Sequence, residues 1–256
     1  MEDFREKKRR GERITSLTAY DYPTARLLDE AGIDIILVGD SLGMVVLGYE
    51  DTTEVTLDEM LHHTRIVARA VKHALLVADL PIHTYDTPEQ ALATARALLG
   101  AGAQAVKLEG GASHVRQIEA IVQAGIPLMA HIGMLPQSVR EQGGYKLKGR
   151  TQTEAEVLLR DGRAVEAAGA FAVVLEIVAA ETARQITEAL EIPTIGIGSG
   201  ESCDGQILVT HDLIGLFPWF TPKFARPEAD VAAEIRKAAK AFIERTQAHR
   251  HLSAEV

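Results

Sequence analysis

Short apolar runs with little polar alternation recur along this chain, and helical segments separate them. The clearest is Ile33-Asp34-Ile35-Ile36-Leu37-Val38, which leads into Gly39-Asp40-Ser41-Leu42-Gly43. A strand with one wet face alternates apolar and polar residues, whereas a branched, nearly continuous run suits a parallel strand covered on both faces. Residues 14–20, 75–78, 105–108, 127–130, 170–175, 193–198 and 206–209 share the pattern. Helices are expected between them, over 22–31, 57–73, 88–100, 113–123, 153–168 and 180–190, with a charged terminal helix over 227–248. Thr56-x-x-Glu59 reads as a capping box, and Thr87-Pro88 as a helix start with proline in the first turn. Eight strands with intervening helices point to a closed (β/α)8 barrel rather than an open sheet.

The 256 residues suit one such barrel, so residues 1–256 are read as a single domain with a short basic N-terminal segment and a C-terminal helix. The 27 basic and 36 acidic side chains give 27 − 36 = −9, which argues against nucleic acid as a partner. The basic cluster Arg5-Glu6-Lys7-Lys8-Arg9-Arg10 is read as a solvated terminal helix. One cysteine, Cys203, allows no internal disulfide and no cysteine-only metal site. No apolar segment approaches the length of a membrane helix, so a soluble, cytoplasmic protein with no membrane partner is expected.

In a barrel, the C-terminal strand ends converge on one face and supply the catalytic groups. Here those ends deliver Asp40, Asp79, Glu109, His131 and Glu176, with Lys107 two residues before Glu109. Asp40, Asp79 and Glu109 end consecutive strands, and three crowded carboxylates repel unless a cation or a proton intervenes. Hard oxygen donors without cysteine suit Mg²⁺, while each acid taken singly could equally cap a helix or a loop.

The blocks Val38-Gly39-Asp40-Ser41-Leu42-Gly43-Met44-Val45-Val46-Leu47-Gly48-Tyr49, Asp79-Leu80-Pro81, Val106-Lys107-Leu108-Glu109-Gly110-Gly111, His131-Ile132-Gly133, Pro136-Gln137-Ser138-Val139, Gly143-Gly144-Tyr145-Lys146 and Asp204-Gly205-Gln206 come in this order. They resemble the ketopantoate hydroxymethyltransferase family. The resemblance implies an α/β fold, a (β/α)8 TIM barrel of the phosphoenolpyruvate/pyruvate type. It further implies transfer of a one-carbon unit from methylenetetrahydrofolate, as co-substrate, to C3 of the 2-oxo acid 3-methyl-2-oxobutanoate in pantothenate synthesis.

Carried over residue by residue, the resemblance implies Asp40, Asp79 and Glu109 at Mg²⁺, directly or through water. It implies Asp40, Ser41, Asp79 and Lys107 around the substrate, and Glu176 as the proton acceptor. It also implies a homo-oligomer, often a decamer. The apolar run before Glu176 would raise its pKa towards the range of a general base. His131, at the fifth strand end, could bind substrate or share in proton transfer. His62 and His63 are neighbours on a helix and are read as surface or packing residues. Gly196-Ile197-Gly198-Ser199-Gly200 lacks the third glycine of a dinucleotide fingerprint and reads as a tight turn beside the pocket. The segment through Gly143-Gly144-Tyr145-Lys146 is long enough to be a lid or binding loop.

Some positions depart from the family pattern. Ile82-His83-Thr84-Tyr85 stands where Phe-x-Ser-Tyr is common, Glu54 and Ala179 stand where proline is usual, and Met134-Leu135 replaces a frequent Leu-Thr. These leave the oxo-acid preference less constrained than the reaction class. The rival readings are another Mg²⁺-dependent 2-oxo-acid lyase or mutase barrel, whose lyases use a loop thiol, and a non-catalytic barrel that binds an oxo acid. Cys203 lies in an unrelated context and is read as a packing residue.

Overall fold

In the computed structural model, which describes residues 4–252 with side chains through residue 248, eight parallel strands close into a barrel in chain order. Residues 1–3 and 253–256 of the expected domain lie outside the described residues. The strands are β1 (Ile14–Thr18), β2 (Ile35–Val38), β3 (Leu75–Asp79), β4 (Ala105–Glu109), β5 (Leu128–Gly133), β6 (Ala172–Glu176), β7 (Thr194–Ile197) and β8 (Gly205–Leu208). Each pairs with its successor, and β8 closes on β1 where Gly205 stands opposite Ile14.

The sheet has two apolar faces, as the unbroken runs require. Alternate residues Ile35, Leu37, Leu75, Val77, Ala105, Met129, Ala172, Val174, Ile195 and Ile207 fill the barrel interior. The intervening Ile36, Val38, Leu76, Ala78, Val106, Leu108, Ala130, Val173 and Leu175 pack outward against the helices. Because successive side chains point to opposite faces, the alternate-residue series 75-77-79, 105-107-109, 129-131 and 172-174-176 each run up the inside of the barrel. Their last members are the polar strand ends.

The helices are α1 (Phe4–Arg10), α2 (Tyr22–Glu30), α3 (Leu57–Ala68), α4 (Pro88–Gly100), α5 (Val115–Gln123), α6 (Val139–Gln142), α7 (Gln152–Ala167) and α8 (Ala180–Ala189). Asp21 and Thr87 cap α2 and α4, and reciprocal capping boxes, Thr56 with Glu59 and Thr151 with Glu154, start α3 and α7. α3 is shorter than its apolar pattern predicts. Buried Asp29 accepts the backbone N–H groups of Lys72, His73 and Ala74 at 3.1, 2.9 and 2.8 Å, drawing that stretch out of the helix and into the turn before β3.

The basic N-terminal helix is more than a solvated face. Phe4 is buried against the lower barrel interior and stacks on Phe171, with ring centroids 6.2 Å apart. Lys7 pairs with Asp34, and Lys8 reaches Asp204 at 3.0 Å and the carbonyls of Thr187 and Ile192 at 2.8 and 3.1 Å. Glu6, Arg9 and Arg10 make the exposed ion pairs expected of such a helix.

By compactness the chain forms two units, Met1–Leu208 and Val209–Val256. The second contains α9 (Thr210–Leu213) and α10 (Val231–Leu252). Within it, the N–H groups of Glu228 and Val231 donate to the carbonyls of Leu213 and Ile214, which fixes the irregular stretch before α10. The terminal helix therefore starts at Val231 rather than at Pro227, with Asp230 accepting the N–H of Ala233 at 3.0 Å. No helix among the described residues is long and apolar enough to cross a membrane.

Candidate active site

The interior columns of β3 to β6 end in charge. Asp79 stands beside Lys107 in the β3–β4 register, Glu109 beside His131 in β4–β5, and Glu176 beside Gly133 in β5–β6. Asp40 joins them from the turn after β2, where its backbone N–H donates to Asp79 Oδ2 at 3.1 Å. Lys107 Nζ lies 3.0 Å from Asp79 Oδ1 and 3.4 Å from His131 Nδ1. His131 Nδ1 is 3.6 Å from Glu109 Oε1, and its Nε2 is 3.3 Å from Glu176 Oε2. Asp40, Asp79, Lys107, Glu109 and His131 are buried, and the Glu176 side chain is 13% exposed.

An ammonium can only donate, so in the contact with Lys107 the His131 Nδ1 accepts and Nε2 carries the hydrogen; Nε2 lies close to Glu176 but makes no aligned hydrogen bond. Burial, reinforced by the Lys107 charge, holds His131 well below its ordinary pKa, so the ring is neutral. Burial works against the Lys107 charge, but Asp79, Glu109 and Asp40 outweigh it and hold the ammonium above its usual range. Burial also pushes the Asp40 carboxyl up to about 7, with repulsion from Asp79 adding to it and Lys107 opposing. Glu109 is driven well above the carboxylate range by burial and then by Asp40. Glu176 rises to about 7 through burial, against the pull of Lys107.

Ser41 sits at the same rim, its Oγ 2.7 Å from the Tyr20 hydroxyl, while Nδ1 of half-buried His63 lies 2.7 Å from the Tyr20 carbonyl oxygen. The chain after β6 turns sharply: Ile177 adopts φ 47°, a left-handed conformation rare for a branched residue. Backbone bonds from Ile177 to the Ile197 carbonyl and from Lys148 to the Ile177 carbonyl, both 2.9 Å, hold it there. Ser199 braces the same turn, donating to the Leu175 carbonyl at 2.7 Å and accepting the Val178 N–H at 2.9 Å. The glycine-rich segment after β7 thus serves the strand end that carries Glu176.

Residues 1–251 match the family described as Ketopantoate hydroxymethyltransferase. The chain belongs to the ketopantoate hydroxymethyltransferase family. It is similar to the 3-methyl-2-oxobutanoate hydroxymethyltransferase of Clostridium novyi (strain NT), with 52% identity over 246 residues covering 95% of this chain and 90% of that one. The enzyme of the same name from Moorella thermoacetica is 56% identical over 227 residues, covering 88% and 84%. Among solved structures, 2,3-dimethylmalate lyase, a member of the PEP mutase/isocitrate lyase superfamily, superposes with a TM-score of 0.64 at 20% identity, covering 94% of this chain and 86% of that one. A phosphonopyruvate hydrolase in complex with oxalate and Mg²⁺ superposes with a TM-score of 0.61 at 16% identity, covering 81% and 79%. Family membership makes the chain a hydroxymethyltransferase, and the structural likenesses identify the barrel.

The residues singled out in the sequence, Asp40, Ser41, Asp79, Lys107, Glu109 and Glu176 by the family resemblance and His131 by its strand-end position, line one rim. Its four carboxyl groups share a single lysine and a neutral histidine, which together with burial drives Asp40, Glu109 and Glu176 towards protonation in the absence of a further cation, and Asp79 Oδ1 makes no aligned hydrogen bond. That donor set suits a hard divalent cation. Among the described residues, however, no three histidine, cysteine, aspartate or glutamate side chains are placed to share one ion. The fit is thus to an ion gripped by fewer side chains and completed by water or ligand oxygens, which is how Mg²⁺ is commonly held.

Three further groups at the rim were not among the expected site residues. Tyr20 lies two residues beyond β1 and reaches the rim through the bond between its hydroxyl and Ser41. Tyr85 and Gln137 come from loops and touch through the Tyr85 hydroxyl and Gln137 Oε1. Cys203 is buried, as its reading as a packing residue expects. His62 is exposed and His63 half-buried, consistent with surface and packing roles. The segment expected to form a lid carries a short 3-10 turn (Pro136–Ser138) and α6 before Gly143.

Proposed function

We propose that this enzyme transfers a hydroxymethyl group from methylenetetrahydrofolate to C3 of 3-methyl-2-oxobutanoate, giving 2-dehydropantoate for pantothenate and coenzyme A synthesis. The observation that carries the reading is the strand-end cluster: one buried lysine among carboxylates, with Glu176 on the opposite side of His131.

Asp40, Asp79 and Glu109 would hold Mg²⁺, directly or through water, and Mg²⁺ when bound supplies positive charge where enolate charge develops on a chelated 2-oxo acid. The oxalate and Mg²⁺ bound by the phosphonopyruvate hydrolase of the same fold support this pairing of ligand and ion. Lys107 contributes fixed positive charge beside the substrate carboxylate or oxyanion, in a site where burial strengthens it. Ser41, tethered by Tyr20, contacts the substrate carboxylate. Glu176, with a pKa of about 7, takes the C3 proton, with neutral His131 3.3 Å from its carboxyl group. The substrate carbon then forms a bond to the one-carbon unit, whose bonds to the folate nitrogens break, and water supplies the hydroxyl group, leaving tetrahydrofolate.

Proton exchange at C3 of 3-methyl-2-oxobutanoate, with and without Mg²⁺ and then with methylenetetrahydrofolate, tests this. Mg²⁺-dependent exchange followed by hydroxymethyl transfer is expected. Exchange without transfer would keep the proton chemistry and reject the folate donor; absence of both would reject the reading. We further infer a cytoplasmic homo-oligomer of decamer size, which sedimentation velocity of the purified chain checks.

A further inference from the structure

Gln137 belongs to no strand. It lies in the 3-10 turn Pro136–Ser138 after β5, yet its side chain is buried among the acids. Nε2 donates to Asp40 Oδ2 at 2.7 Å and to the Leu80 carbonyl at 2.9 Å. A carboxylate and a carbonyl can only accept, so the amide nitrogen must face both, and this fixes which way the amide points. Oε1 is then left to accept from the Tyr85 hydroxyl. The backbone N–H of the same residue donates to Glu109 Oε2 at 3.1 Å.

One residue thus engages a carboxylate oxygen from the turn after β2 and another from β4, and is anchored to the chain leaving β3. Two carboxylates crowded in a buried site would otherwise swing apart or take up a proton, because neither has water to screen it. The donors of Gln137 hold one oxygen of each and so set the direction of the other. We propose that Gln137, its amide oriented by Tyr85, is a positioning residue that fixes Asp40 and Glu109 for a divalent cation and the oxo acid that shares it. This rests on the metal reading of the pocket given above. Tyr85 is also the member of Ile82-His83-Thr84-Tyr85 that reaches the acids, through Gln137, whereas Thr84 turns its hydroxyl back to the Pro81 carbonyl at 2.7 Å.

The test is the Mg²⁺ affinity of the full chain by calorimetry, in the presence of 3-methyl-2-oxobutanoate, for wild type, Gln137→Ala and Tyr85→Phe, with Tm measured alongside. Groups that orient metal ligands typically cost about 10–100-fold in metal affinity when removed. Gln137→Ala is expected to lose affinity in that range, and Tyr85→Phe a smaller amount in the same direction, with Tm little changed. Wild-type affinity in both variants would overturn this inference and leave the pocket's metal reading intact. Failure of the wild type itself to bind Mg²⁺ would overturn both. Should Gln137→Ala not fold, Tyr85→Phe decides, since it removes one hydroxyl and leaves the amide in place.

Discussion

Replacing Glu176 by glutamine should weaken catalysis and strengthen the fold, and the second effect depends on pH in a way that can be calculated. An ordinary glutamate carboxyl titrates at 4.5, and Glu176 at about 7 because burial penalises its charge. At about 1.4 kcal/mol per pH unit of separation, charging Glu176 in the folded protein costs at most about 3 kcal/mol. The group's folded pKa is raised, so its contribution to stability is fully present below pH 4.5 and is lost as pH rises through about 7. Glutamine carries no such penalty at any pH. Urea unfolding in the presence of EDTA should therefore find Glu176→Gln and wild type similar near pH 4, and the variant more stable by up to about 3 kcal/mol at pH 8. The same variant should lose C3 proton exchange by roughly 10²–10⁴-fold, the usual worth of a general base. Wild-type exchange should rise with pH through about 7 as Glu176 ionises. A stability gap that does not change with pH, or exchange near the wild-type rate, would refute the assignment.

Other positions give independent checks. Asp29→Ala removes the acceptor of three turn N–H groups, that of Ala74 buried and those of Lys72 and His73 partly so, and should cost up to about 3 kcal/mol in chemical denaturation, at roughly 1 kcal/mol each. Burial opposes the Asp29 charge, but the N–H groups of Ala74, His73 and Lys72 outweigh it and hold the carboxyl below 3.8. That stabilisation is present above pH 3.8 and fades as pH falls further, so the gap between wild type and Asp29→Asn should close on acidification. Gly133 sits at φ 101°, and a Cβ there would lie 2.4 Å from the Glu176 carbonyl oxygen. Gly133→Ala should therefore lower both Tm and exchange, with backbone strain alone worth about 1–3 kcal/mol. Phe4→Ala should cost about 3–5 kcal/mol while leaving exchange per folded molecule unchanged, which thermal unfolding beside the exchange assay would reveal.

Barrel and rim were legible in the sequence for a single physical reason: side chains alternate along a strand. The runs ending in Asp79 and Glu176 keep apolar residues on both faces until the last inward position, where a charge appears, and in the run ending in Glu109 the charge comes one inward step earlier, at Lys107. A charge buried there costs free energy unless it is paired, which is what singles out these positions as candidates for chemistry. Where the pattern misled, a distant hydrogen bond had overridden it: Asp29 ends α3 at Ala68 against a helical pattern running to His73, and Asp34 engages Thr15 so that β2 begins at Ile35.

Loop contributions obey no such periodicity. Gln137 reaches Asp40 across 97 positions and Tyr85 reaches Gln137 across 52, distances set by where the chain after β3 and β5 returns over the rim. The consequence is a barrel interior with opposite energetics at its two ends. Near Phe4 and Phe171 every inward side chain is apolar, and truncation there should lose stability without touching turnover. At Glu176 the inward group is charged against its surroundings, and neutralising it should return stability at the expense of turnover. Since the sheet between them is continuous, a graded series of substitutions up the 172-174-176 column should change sign between Val174, where loss of buried methyl groups destabilises, and Glu176, where loss of charge stabilises. A series that destabilised at every position would mean that the rim carboxylates are held by partners strong enough to repay their burial, and that Glu176 is a structural anchor rather than a base.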